Sequence, residues 1–148
     1  MTGGDAQMRA DIATYGWHVI KVPEDDEGPA FAFTIGLFKR FEHPELLIFG
    51  LPLETMHQML NTAGEAVRAG QAYTAGQSTD DILQGYSCTF RAVPRNHYEA
   101  YLGSARWYYE SDEFPVLQLI WPDREHRYPW EAPVDAWIRW AQPVLADE

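Results

Sequence analysis

At 148 residues, 46% of them hydrophobic and 22% charged, the chain is long enough for one domain with its own core and too apolar for general disorder. The formal net charge of −11 disfavours nucleic acid and anionic membranes as partners and favours a basic one. The single cysteine, Cys88, rules out an intrachain disulfide and a cysteine-based zinc site.

Asp5 is placed to cap a first helix with Met8, Ile12 and Tyr15 on one face and Gly16 as its C′ residue. Residues 17–22 read as a strand. The acidic connection 23–29 is short, which predicts an antiparallel partner next. In that partner, 31–37, Phe31, Phe33, Ile35 and Leu37 alternate with Ala32, Thr34 and Gly36, the period of a strand. A charged segment ending in His43-Pro44-Glu45 leads to Leu46-Leu47-Ile48-Phe49, a continuous apolar run expected of a strand covered on both faces.

Residues 52–69 predict a helix, with Leu53, Met56, Leu60, Ala63 and Val67 in one apolar stripe and Gly70 at its end. Ser78 can cap a single turn, 79–84, closed by Gly85, and 86–93 is a fourth strand. Residues 96–109 predict one or two short helices interrupted at Gly103-Ser104. The dense run 114–121 predicts a central fifth strand, and 122–133 an irregular loop. A terminal helix, 134–145, would carry Val134, Trp137, Ile138 and Ala141 on one face. The fold expected is α+β: a single domain over residues 1–148, with a mixed, largely antiparallel five-stranded sheet and helices packed on it.

No chelating, phosphate-cradling or serine-elbow motif is present, so no metal ligand is assigned. Trp121-Pro122-Asp123 resembles the acid loop of tyrosine phosphatases, but Cys88 and Arg91 are too close to wrap an anion, and that chemistry is rejected. Four acid–base candidates remain: His43 and Glu45 in the HPE segment, and Asp123 and His126 in the polar loop between two tryptophans. Each has a bland alternative. His43 and Glu45 would fix a loop, Asp123 would sit in a turn, and Trp130 would plug the core. Thr34 and Gly36 at the end of the second strand, with Trp107, Tyr108, Trp121 and Trp130, are the ligand-binding candidates.

Taken together, Gly16–Val19, Glu27-Gly28-Pro29, Phe33-Thr34-Ile35-Gly36-Leu37, His43-Pro44-Glu45, Phe49-Gly50-Leu51-Pro52, Gly85, Arg91-Ala92-Val93, Trp107-Tyr108-Tyr109, Phe114 to Asp123 and Tyr128-Pro129-Trp130 resemble the bacterial domain-of-unknown-function family DUF4262. The resemblance runs from about residue 16 to 130, leaving 131–148 as a terminal helix and tail. It implies one small domain and carries no activity. Acidity and the missing catalytic motif point to a non-enzymatic binding module for a basic protein or a small molecule, in one version an antitoxin-like or immunity-like neutraliser. The alternatives are a small enzyme with a His–carboxylate pair, or a binder of flavin or haem between aromatic rings. No cofactor or oligomeric state is assigned. A chain with no signal-like leader and no membrane-length run is expected in the cytoplasm.

Overall fold

The computed structural model describes residues 3–131 and 133–146. Its single sheet has six strands: β1 (His18–Val22), β2 (Phe31–Ile35), β3 (Glu45–Phe49), β4 (Ser78–Leu83), β5 (Tyr86–Ala92) and β6 (Val116–Ile120), in the order β1-β2-β3-β6-β5-β4. The expected five-stranded, largely antiparallel sheet is corrected to a six-stranded mixed one. Its central pair, β3 and β6, runs parallel, with Glu45 opposite Val116 and Leu47 opposite Gln118. Both central strands are buried along their whole length, as strands covered on two faces must be.

The additional strand is β4, from the stretch read as a helical turn. Gln84-Gly85 is a two-residue hairpin turn that sets Leu83 opposite Tyr86, and Gly85 takes the positive φ of 84° which that turn needs. Ile82 is the one fully buried side chain of β4, so the hydrophobic alternation that would announce a strand is missing. Asp80 and Asp81 occupy this edge of the sheet and discourage pairing with another chain.

α3 (Leu53–Arg68) covers one face. Its Met56, Leu60, Ala63 and Val67 pack with Trp17, Val19, Leu46, Ile48, Phe90 and Leu119. Leu60 has no exposed surface, and Leu60→Ala is expected to cost about 2–5 kcal/mol in a urea denaturation series. A melting temperature within a degree of the parent would mean that the stripe does not carry the core.

The other face is covered by α1 (Gly3–Tyr15), α4 (Tyr98–Tyr101) and α5 (Gly103–Tyr109), through Met8, Ile12, Tyr98, Leu102 and Ala105 against Phe33, Leu47, Phe49 and Phe114. α1 begins two residues before Asp5, so Asp5 lies inside the helix instead of capping it. Tyr15, expected on the buried face, is turned outward. α4 and α5 break at Leu102, one residue ahead of the predicted interruption. The connection after β2 contains a further helix, α2 (Leu37–Phe41).

The terminal helix is shorter than its sequence pattern. α6 spans Ala136–Ala141, and Gln142 leaves the helical region at φ −129°, ψ 76° because Pro143 follows it. Two buried glutamines tie this end of the chain down. Gln142 accepts from the Trp121 N–H at 2.9 Å and donates to the Trp121 carbonyl at 2.8 Å. Gln118 donates to the Pro143 carbonyl at 2.7 Å and accepts from the Leu145 N–H at 3.0 Å. Trp137, expected to face inward with Ile138 and Ala141, is 58% exposed.

Candidate functional site

Glu45 opens β3 and is fully buried. Five donors converge on its carboxylate. The Thr34 hydroxyl reaches Oε1 at 2.8 Å, and the Leu37 N–H reaches Oε1 at 3.2 Å. The Gly36 and Phe38 N–H groups reach Oε2 at 2.9 and 3.2 Å, and the Tyr109 hydroxyl donates to Oε2 as well. Gly36, Leu37 and Phe38 are the opening amides of α2, which have no partner inside the helix. Glu45 therefore caps a helix from the following strand, and its charge suits the positive helix end. Thr34 completes the joint by accepting from the Leu46 N–H at 2.9 Å. Tyr109 does so by accepting from Gly36 and Lys39 N–H at 3.3 and 3.2 Å. Burial drives the Glu45 carboxyl above its ordinary range, while the donors, Tyr109 foremost, pull against that rise. Burial and the Glu45 charge push the Tyr109 hydroxyl upward, so it stays protonated and donates.

His43 is buried beside this joint. Its Nδ1 lies 2.8 Å from the Pro44 carbonyl, which only accepts, so Nδ1 carries the hydrogen. Nε2 accepts from the Tyr73 N–H at 2.9 Å. Both ring nitrogens are occupied and the neutral tautomer is fixed. Burial lowers the His43 pKa below 6.5, against a smaller upward pull from the Pro44 bond.

A depressed folded pKa makes the unfolded chain take the proton first. The stability contributed by His43 is thus complete above about pH 6.5 and is lost as pH falls through the folded value. The loss is at most about 1.4 kcal/mol per pH unit. Urea midpoints at pH 7.5 and 5.5 should differ less in His43→Gln than in the parent. Equal differences would show that His43 is not the responsible group.

Asp123 and His126 lie in the loop after β6. The Asp123 carboxylate accepts from Glu125 and Arg127 N–H, both at 2.9 Å, and from Arg127 Nε at 3.1 Å. The Arg127 amide bond, ahead of the guanidinium, holds this carboxyl below its usual range. His126 sits at φ 66° with its ring against Tyr86, and among the described residues no hydrogen bond joins it to the Asp123 side chain. This loop is a hairpin-like turn, closed by Asp123 N–H to the Arg127 carbonyl at 2.8 Å. Trp130 does not plug the core. It is exposed, stacked on Tyr128, and the Arg91 guanidinium lies 3.9 Å above its ring. Trp107 is also exposed, with Arg9 over it and over Tyr108. Trp121 is buried and donates to the Phe49 carbonyl at 2.7 Å.

The two groups of acid–base candidates do not meet. His43 and Glu45 stand at the start of β3, whereas Asp123 and His126 follow the end of β6. In parallel strands those places are separated by roughly 16 Å of strand rise. A groove of about 710 Å³ lies at the far end, beyond the carboxyl ends of β3 and β6. That is the usual ligand position beside parallel strands. Leu51, Trp121 and Ile138 contribute apolar wall; Asp123, Glu125 and Asp135 face Arg124 and Arg127 around it. Trp137 lines this groove and also a neighbouring hollow of about 360 Å³ that contains Glu24, Pro29 and Trp140. Trp137 is a ridge between the two.

A family profile described as Domain of unknown function (DUF4262) matches residues 11–135. The chain belongs to that family. No curated protein and no solved structure matches the chain. The DUF4262 match takes in the Glu45 joint and the Asp123 loop, while Trp137 and Trp140 lie beyond it. Within this DUF4262 domain, the partner that sequence alone left outside the candidate set is Tyr109. It stands 64 positions from Glu45, and only its polar-tipped ring hinted at a role. Among the described residues, no helix is long and apolar enough to cross a membrane, and no cluster of three His, Cys, Asp or Glu is arranged for a metal. Cys88 is buried, and burial with the nearby Asp80 pushes its thiol up to about 12, far from a reactive thiolate.

Proposed function

We propose that this domain is a cytoplasmic binding module that takes a basic protein segment across the Trp137 ridge. The observation that carries the reading is the pair of tryptophans on α6, Trp137 and Trp140, 58% and 48% exposed over two adjoining hollows. Tryptophans in such a position are the commonest binding hot spots. Charge complementarity selects the partner. Three carboxylates stand in the groove against two guanidiniums, Glu24 stands in the hollow, and the chain as a whole carries −11. A basic protein that the module neutralises fits this surface, in the manner of an antitoxin or immunity partner.

A synthetic peptide alternating lysine and leucine, titrated by calorimetry, tests the proposal. Trp137→Ala should weaken binding about 30-fold, the effect of a hot spot of about 2 kcal/mol, with the melting temperature unchanged. Raising salt from 0.1 to 0.5 M should weaken the parent's binding as well. Binding that ignores both Trp137 and salt, or a preference for the glutamate–leucine counterpart, would overturn the proposal.

A further inference from the structure

A second groove, of about 390 Å³, crosses the edge strand β1 between α1 and α3. It shares no lining residue with the Trp137 hollows, so chemistry in this groove is independent of peptide docking there. Its base is a pair that no sequence motif marks. His18 Nδ1 lies 2.6 Å from Asp11 Oδ2, and a carboxylate only accepts, so Nδ1 carries the hydrogen and, in the neutral ring, the lone pair is on Nε2. Gln7, one turn earlier in α1, donates to the other Asp11 oxygen at 2.7 Å. The His18 and Asp11 side chains are 20% and 23% exposed, covered enough to be held in place and open enough to be reached. No partner for His18 Nε2 stands among the described residues.

The α3 side of the groove supplies donors. His57 Nδ1 lies 3.5 Å from the Lys21 ammonium, which only donates, leaving the His57 Nε2–H free. Asn61, one turn further along α3, receives the Trp17 indole N–H on Oδ1 at 3.0 Å, leaving its NH₂ free. An oriented lone pair and spare N–H donors thus share one groove. Among the described residues no serine, threonine or cysteine lines it, so the chemistry to test here is attack by water, and a burst would betray attack by the His18 ring or by Lys21 instead.

We propose that this groove is a general-base site that hydrolyses small esters. His18 Nε2 takes a proton from water while the water oxygen bonds to the ester carbonyl carbon. The carbonyl oxygen becomes an oxyanion, hydrogen-bonded by His57 and Asn61. When the intermediate collapses, the bond to the alcohol oxygen breaks and His18 returns the proton to that oxygen. Ester and water leave as acid and alcohol, and the protein is unchanged. Asp11 is a positioning residue that fixes the tautomer and stabilises the transient imidazolium. Esters are the class served because an alkoxide departs more readily than an amine.

The test is hydrolysis of 4-nitrophenyl acetate by the full chain. Saturable turnover is expected, without an initial burst. His18→Gln should lose at least about 100-fold in kcat, the lower bound for a positioned base. Asp11→Asn should lose about 10-fold or more in kcat with KM little changed, the split expected of a positioning residue. His57→Leu, which removes the N–H donor from the α3 wall of the groove, should lower kcat with KM little changed. His97→Gln, in the turn before α4, should leave the rate alone, and thermal melts confirm that each variant is folded. An unchanged rate in folded His18→Gln or in folded His57→Leu would overturn the proposal. So would an equal loss in His97→Gln, a rate no greater than that of free imidazole, or a burst of one nitrophenolate per chain.

Discussion

Glu45→Gln should destabilise the domain by about 3–5 kcal/mol, the range for removing one member of a buried charged constellation. For a chain of this size, that lowers the melting temperature by roughly 10 °C. The substitution keeps the shape of the side chain and changes only what it can accept. Three backbone amides and two hydroxyls point at the two carboxylate oxygens. A glutamine must turn an NH₂ toward some of them. The hydroxyls can rotate away, but the amides of Gly36, Leu37 and Phe38 cannot, so at least one buried donor faces another. Tyr109→Phe removes one donor from the same joint and should cost less, about 1–2 kcal/mol. Urea denaturation of both variants measures the difference. If Glu45→Gln came within 0.5 kcal/mol of the parent, on the order of experimental error, the joint would not be a source of stability.

Gly36→Val should be the most damaging single substitution, costing more than about 4 kcal/mol and leaving little folded protein. Gly36 stands at φ 119°, where a β-branched residue is strained. A Cβ there would lie 2.7 Å from the Gly16 carbonyl oxygen and 3.0 Å from the Trp17 Cα, backbone atoms that cannot step aside. The same residue supplies an amide to Glu45, so displacing it also opens the joint. Lys39→Ala, three positions on, changes an exposed side chain and keeps the amide that Tyr109 uses; it should stay within about 0.5 kcal/mol. A Gly36→Val protein with the parent's melting temperature would mean that the chain reaches this turn by another route.

The parts of the fold that bury their own pattern could be read from the chain. Leu46 to Phe49 is unbroken because β3 is covered twice, and the α3 stripe is regular because one face meets the sheet. β4 escaped because its signal is thin, and the terminal helix, expected from the sequence, is shorter than its pattern. β4 buries Ile82 alone, and α6 stops at Gln142, where Pro143 disfavours the helical region and the Gln142 amide bonds to the Trp121 backbone. Trp137 read as core because a large ring at helical spacing usually is, yet it faces solvent. In the site, His43-Pro44-Glu45 drew notice as a motif, but its meaning depends on Tyr109 and Tyr73, brought in from distant parts of the chain. Asp123 and His126, close in sequence, take different partners: Asp123 holds Arg127, whereas the His126 ring lies against Tyr86.

The parallel pairing of β3 with β6 divides the sheet into two three-stranded meanders, one on each side of a seam. Within each meander, neighbouring strands pair antiparallel with their neighbours in sequence or, for β5 and β6, across one helical excursion. The seam joins Glu45 to Val116, about 70 residues apart, and bears the largest loop-closure entropy in the sheet. During folding its contacts are therefore the slowest to be rewarded, and each meander must persist with one apolar edge uncovered until the other arrives. The two strands richest in buried side chains, β3 and β6, are thus also the ones most exposed to misassembly while the chain is young.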